Sequence, residues 1–406
     1  MNRKKQKYIN VGTALLLIAV LIIAAVAAGK APAKETNKNY KIYYELAKVK
    51  EITNDNVVYD EDSEQIARGS QSLIVEILTG RYKGDVMPVL NPIGPTQEKL
   101  AKVGTVLTVK LETSHGVGGY QIHIITFNYL PLLIFMLLLF ITAVAVVGRW
   151  KGIMSLLGLA ATFVSIIFFL IPLWLKGHKA IPLTFCVCIF VSALCFVLIG
   201  GVTRKTVSAM LGTALCLLVA CAFAVICSGI AHLSGLNMEE AEYLLDENRM
   251  LDGVTLNIRG LFVSGILISA LGAVMDVAMS IASAVTELSD VNPGMKPIEL
   301  FKSGMNIGRD MIGTMTNTLI LAFAGTSLNV IIIMYIAGME PYQLINNDAI
   351  MMEIIRGLAG SIGLILAVPL TAAVASAQFK KTADAPNAKD KPDPVHSGKK
   401  GIKKVK

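Results

Sequence analysis

Long apolar runs alternate with short polar stretches along most of this chain, and only one sizeable segment breaks that pattern. Eight runs are each long enough to cross about 30 Å of hydrocarbon as a helix: approximately 11–29, 128–148, 152–175, 181–202, 206–232, 259–287, 311–337 and 354–378. Residues 30–127, between the first and second runs, have a different texture. Apolar and polar positions alternate there in "KIYYELAKVKEI" (41–52), "VVYDE" (57–61), "SLIVEIL" (72–78), "GTVLTVKLE" (104–112) and "GYQIHIITF" (119–127), with a turn at "GRYKGDV" (80–86). A period of two belongs to half-buried strands, and five or six short strands predict a small β-barrel or sandwich. The expected fold class is a polytopic α-helical membrane protein of about eight transmembrane helices, with one small extracytoplasmic all-β domain. Its parts are a basic start with an anchoring helix (1–29), the β domain (30–127), a seven-helix membrane domain (128–378) and a Lys-rich tail (379–406) without apolar periodicity.

Charge sets the orientation. Basic clusters stand at "MNRKKQKYIN", at "RWK" (149–151), at "TRK" (203–205), in the 288–310 loop and in the tail. The acidic segments "NMEEAEYLLDENRMLD" and "MEPYQLINNDA" fall on the opposite side. The positive-inside rule then puts both termini in the cytoplasm and residues 30–127 outside the plasma membrane. Only "KGHK" (176–179) dissents. "AAVAAGKAPA" offers small residues for signal cleavage, but the first run heads a membrane-embedded chain and reads as an uncleaved anchor. The bilayer is thus the first expected partner.

Composition narrows the chemistry. Charged residues make up 16% of the chain, below the roughly 25% of soluble domains. All six cysteines lie in apolar runs, which indicates no disulfide framework. The five histidines are scattered, so no metal site or cofactor is expected. No GxxxxGK[ST], HExxH or GxSxG motif occurs, and no Ser/His/Asp set, so the chain does not read as an enzyme. The β segment has balanced charge and no aromatic platform, which argues against nucleic acid.

The stretch "GAVMDVAMSIASAVTEL" (272–288) places a carboxylate inside an apolar run. Such residues are costly in a bilayer and mark functional sites. Helical steps of three and four carry Asp276 to Ser280, Ser283 and Glu287, and back to Gly272 and Ser269. Leu267, Val274 and Ile281 form the greasy side. Asn306, Asp310, Gly313 and Asn317 repeat the pattern in the next run, with Arg309 beside them at the membrane edge as a gate or helix-end charge. Without a cation, a membrane carboxyl holds a proton rather than stand as a lone charge. One reading is a proton or ion pathway through Asp276, Ser280, Ser283, Glu287 and Asn317. The other is a structural pin, with Asp276 bonded to Asn317 or Thr314. Between the two runs, Ile298, Phe301 and Met305 share a face and predict a short helix lying on the membrane surface. Gly272, Gly357 and Ser361 suit close helix packing, as do Ser208, Gly212 and Cys216. Pro369 can kink the last helix.

At "GAVMDVAMSIASAVTEL", "LFKSGMNIGRDMIGTMTNTLILAFAG" and "GSIGLILAVPLT" the sequence resembles the YibE/F family of bacterial membrane proteins, over about 128–378. The anchor and outer β segment resemble the YibE-like member. The resemblance implies a membrane fold and address, and a second YibE/F-family protein or a homo-oligomer as partner. The order of anchor, outer domain, carboxylate helix and "RDMIGTMTNT" helix is also similar to SecF and the RND-type membrane proteins. Two functions follow as expectations: a proton- or ion-coupled transporter or exporter, or a non-transporting scaffold that docks partners through its β domain.

Overall fold

The structure is a computed structural model that describes residues 40–60, 63–94, 100–114, 120–233, 235 and 257–379. The first apolar run, the acidic 237–252 loop and the tail from 380 onward lie outside the described residues. The chain divides into two compact units, with the boundary between Leu156 and Leu157.

The first unit holds five strands: β1 (Tyr40–Asp60), β2 (Ser63–Ile77), β3 (Val86–Ile93), β4 (Val106–Ser114) and β5 (Tyr120–Phe127). They form one antiparallel sheet in the order β3-β2-β1-β4-β5. Its two edges curl toward each other into a half-barrel. The alternation in the sequence is the alternation of burial: Ala47, Val49, Leu73, Val75, Ile77, Leu107, Val109 and Leu111 line the core. The sequence reading differs at two places. Segments 41–52 and 57–60 are one strand, because register shifts after Val49 and Ile52 carry β1 through its polar stretch. Strand β3 is unexpected from "VMPVLNPI", whose two prolines cannot donate to a ladder. It lies at the sheet edge, where proline is tolerated.

A polar knot ties this sheet together. Gln71 is buried, and its carbonyl accepts from the Ala101 N–H (2.9 Å) and from Asn91 Nδ2 (3.2 Å). Its amide donates to Asp55 Oδ2 (3.1 Å) and to the Ala101 carbonyl (3.3 Å). Elsewhere in this unit, the Tyr120 hydroxyl donates to Asp85 Oδ2 at 2.8 Å. Desolvation, helped by that carboxylate, pushes the Tyr120 phenol up to about 12.

Helix α1 (Leu130–Val164) continues through a π-helical turn (Ser165–Leu170) into α2 (Ile171–Leu175). There follow α3 (Ala180–Gly200), α4 (Arg204–Ile230), α5 (Ile258–Val291), α6 (Pro297–Thr326), α7 (Leu328–Ile336), α8 (Pro341–Ile345) and α9 (Asp348–Ala377). Among the described residues, five helices are long and apolar enough to span a membrane: Leu130–Leu175, Ala180–Gly200, Arg204–Ile230, Ile258–Val291 and Asp348–Ala377. The pair α6 and α7, bent by 52°, makes a sixth if counted as one span. Helices of this length and apolarity fit an integral membrane protein.

The eight expected runs do not map one to one onto these helices in the described part. One run lies outside it, and 128–148 and 152–175 run together in one 46-residue helical stretch. That stretch is not straight. Arg149 leaves helical geometry (φ 49°, ψ −136°). A Cβ on Gly152 would fall 2.3 Å from the Val144 carbonyl oxygen. Eight residues of straight helix separate their ends by about 12 Å, so the chain folds back at "GRWKG" and needs a glycine there. A second correction concerns the 288–310 loop. No separate surface helix forms; α6 starts at Pro297, with Glu299 capping the Lys296 N–H at 2.9 Å, and continues unbroken to Thr326.

Helix α5 is the centre of the second unit and packs against α3, α4, α6 and α9. Its face of Ile266, Leu267, Val274, Val277, Ile281 and Val285 is completely buried. Small residues bring the neighbours close, as expected where lipid supplies no hydrophobic drive between helices. A Cβ on Gly212 of α4 would lie 2.1 Å from Thr371 Oγ1 of α9, and one on Gly363 would lie 3.0 Å from the Ala220 Cβ. The hydroxyls of Thr184 in α3 and Ser264 in α5 meet at 2.9 Å.

Candidate functional site: the outward polar stripe of α5 and α6

The apolar half of α5 decides where its polar half points. Val274 and Ile281 are drawn fully into the bundle, so residues half a turn away must face out. Gly272, Asp276, Ser280 and Glu287 are exposed on the protein surface, and Ser283 is half-buried among them. Asp276 lies 18 residues after Ile258, about 27 Å along a helix of about 51 Å. It therefore sits close to mid-helix.

Two glycines set the rotation of α6. A Cβ on Gly304 would lie 2.8 Å from Val285 Cγ2, and one on Gly308 would lie 2.1 Å from Val368 Cγ1 and 3.0 Å from Ile281 Cδ1. This GxxxG pair presses α6 flush against α5 and α9, the close approach that small residues permit. Sequence reasoning passed over it, although "GMNIG" spells the signal out. With Gly304 and Gly308 turned inward, Asn306, Arg309, Asp310, Gly313 and Asn317 are exposed.

The same contacts set the depth. Val285 lies beside Gly304 and Ile281 beside Gly308, so four steps up one helix match four steps down the other. By that register Ser280 is level with Arg309, and Asp276 is level with about Gly313. Arg309 and Asp310 therefore do not stand at an end of α6. Because α6 begins at Pro297, they lie about 18–20 Å from its start, within about one turn of the depth of Asp276.

The pin reading is not what the side chains do. Among the described residues, Asp276 has no hydrogen-bond or ion-pair partner. Thr314 donates to the Met311 carbonyl of its own helix at 3.2 Å and not to Asp276. Arg309 Nη1 donates to Asn306 Oδ1 at 3.1 Å, again within α6. A charged residue uncovered at the bilayer centre costs about 3 kcal/mol on insertion scales. Asp276, Arg309 and Asp310 on one uncovered surface would multiply that cost against lipid.

The remaining sequence candidates divide. Gly272 is not a packing glycine: a Cβ there meets nothing within 4 Å, and it belongs to the open stripe. Gly357 is in ordinary contact with Phe323 at 3.7 Å, and Ser361 is buried with its hydroxyl unpartnered among the described residues. Pro369 sits inside α9 without ending it. Near the start of α9 the structure adds a charged pair not singled out from sequence. Arg356 Nη1 meets Glu353 Oε1 at 2.6 Å and stacks its guanidinium over Phe262 at 5.8 Å. Glu353 also borders an apolar groove of about 260 Å³ at the α6–α7 bend. Among the described residues, no group of three or more His, Cys, Asp or Glu could hold a metal ion.

No curated protein and no solved structure matches the chain. The family of YibE/F-like proteins matches residues 136–381, which takes in the stripe, the glycine pair and every helix from α2 to α9. That is more than half of the chain, and with it the resemblance carried by "GAVMDVAMSIASAVTEL" holds: the protein belongs to the YibE/F-like family.

Proposed function

We propose that this YibE/F-like protein is a proton- or ion-coupled transporter or exporter of the plasma membrane, and that Asp276 is the group that takes up and releases the coupling ion. The observation that carries the reading is the placement of Asp276: mid-helix, on an outward polar stripe, with no hydrogen-bond or ion-pair partner among the described residues. A carboxylate kept for packing would be paired, since an unpaired one is a cost with no return in stability. The stripe supplies a route of hydroxyls, Ser280 and Ser283, from Asp276 to Glu287 near the end of α5. Arg309, Asp310 and Asn317 line the neighbouring helix at matching depths and can bias the charge state of Asp276.

The topology that suits this reading has eight spans. The fold-back at Arg149 divides Leu130–Leu175 into two, α6 with α7 forms one broken span, and the expected first span, 11–29, lies outside the described residues. Both termini are then cytoplasmic, Glu287 opens to the cytoplasm, and the β unit stands outside.

A carbodiimide tests the proton-binding step without a known substrate, because it modifies protonated carboxyls in apolar surroundings. Protein in vesicles is treated with dicyclohexylcarbodiimide across a pH series and digested, and the modified residue is read by mass spectrometry. Modification at Asp276 that falls as pH rises, and is absent in Asp276→Asn, is the expected result. An intact protein left unmodified at Asp276 at every pH would overturn the reading. A scaffold docking partners through the β unit would then take its place.

A further inference from the structure

The polar face of α5 and α6 needs a cover, and the sequence limits what the cover can be. Residues 11–29, 130–148 and 152–175 contain no acid, base or amide side chain. Helices α3 and α4 have none either beyond Arg204 and Lys205 at the start of α4. The charges of α9 lie in its first turns, where Glu353 and Arg356 pair with each other. Outside α5 and the α6–α7 pair, no other span of this chain therefore offers a free charge or an amide to Asp276, Arg309, Asp310, Asn306 or Asn317. One surface does: the same face on another molecule. It carries two carboxylates, a guanidinium and two amides at nearly one depth, and both signs of charge make it complementary to itself.

We infer that two copies of this chain meet face to face across α5 and α6, related by a two-fold axis along the membrane normal. In that arrangement residues of equal depth oppose each other. Arg309 of one copy then pairs with Asp310 of the other at nearly its own depth, Asp276 lies in the seam between the copies, and the exposed Gly272 and Gly313, where an added Cβ meets nothing within 4 Å, leave room for the backbones to approach. The site around Asp276 is complete only in the dimer. This inference rests on the exposure and chemistry of the stripe and not on the transport reading. A dimer without carbodiimide modification would sink transport alone, and modification without a dimer would sink the inference alone.

The test uses purified full-length protein in lipid vesicles, with the six native cysteines replaced and single cysteines introduced as Ser280→Cys or Gly313→Cys. Two controls are Val274→Cys, inside the bundle, and Ile226→Cys, which is 58% exposed on α4 away from the stripe. Each variant is first shown to elute as a monodisperse species, and is then oxidised and run on a non-reducing gel. Covalent dimer at position 280 or 313 at least tenfold above that at 226, and none at 274, is expected. Arg309→Asp should reduce the cross-link severalfold, and Arg309→Asp with Asp310→Arg, which restores both signs, should recover it. Cross-linking no greater at 280 and 313 than at 226 overturns the inference, as does a cross-link indifferent to Arg309→Asp. If a different chain covers the stripe, the purified protein gives no stripe dimer and the inference falls.

Discussion

The seating of α6 rests on one glycine more than any other, and Gly308→Ala measures it. The new Cβ would stand 2.1 Å and 2.9 Å from the two γ-carbons of Val368, and 3.0 Å from Ile281 Cδ1. Val368 is β-branched and fully buried, so it cannot swing away. Overpacking of this kind costs about 1–3 kcal/mol. Alanine also stabilises a helix over glycine by about 1 kcal/mol. The net is a loss of about 0–2 kcal/mol, and Gly308→Leu should lose several. Gly325→Ala is the matched control on the same helix, since its Cβ meets nothing within 4 Å and only the helix gain of about 1 kcal/mol remains. Gly304→Ala, at 2.8 Å from Val285 Cγ2, should fall between the two. Unfolding in mild detergent by titrated dodecyl sulfate, followed by circular dichroism, reads all four. The diagnostic arm is Gly308→Ala with Val368→Ala. Removing the opposing methyls should return most of the steric loss, apart from the cost of truncating a buried valine. A Gly308→Ala protein stabilised as much as Gly325→Ala would refute the close α6–α9 contact, and with it the rotation that turns Asp310 and Asn317 outward.

Two further outcomes test the β unit. Gln71→Leu should strip the Ala101 N–H and the Asn91 amide of a partner, a cost of about 1–3 kcal/mol, and hydrogen exchange at Ala101 should quicken in the full-length protein. The Tyr120 phenol, pushed up to about 12 by burial and by Asp85, should titrate in the folded protein roughly two pH units above a free tyrosine. A group whose folded pKa is raised supports the fold fully below its unfolded pKa. The β unit should therefore lose stability as pH rises from about 10 to 12, and Tyr120→Phe should flatten that loss in a melting series.

Much of this was legible in the sequence because both periodicities are written plainly. The strands of "SLIVEIL" and "GTVLTVKLE" bury every second residue, and the greasy side of α5 named by Leu267, Val274 and Ile281 is its fully buried side. What escaped depends on neighbours distant in sequence. Strand β3 looks unlike a strand because Pro88 and Pro92 forfeit hydrogen bonds, and only its edge position makes that harmless. The long α6 looked like a loop and a span because "NPGMKPIELFKSG" is polar and proline-led. Yet Pro297 stands at the first turn, where proline starts a helix well, and the extra turns place Arg309 and Asp310 in the helix interior. The stripe residues themselves were readable from spacing alone. That they face away from their own bundle was not, because exposure is decided by Gly304, Gly308 and the faces of α4 and α9.

The central claim is that water and protons reach Asp276 along the outward stripe. The direct measurement replaces the six native cysteines and places a single cysteine at position 276, 280 or 274. Intact cells and inverted vesicles are then treated with a membrane-impermeant thiol reagent. The account predicts labelling of Asp276→Cys and Ser280→Cys and none of Val274→Cys, which is fully buried on the opposite face. Folded, inserted protein that stays unlabelled at 276 and 280 from both sides, or labels equally at 274, would contradict it.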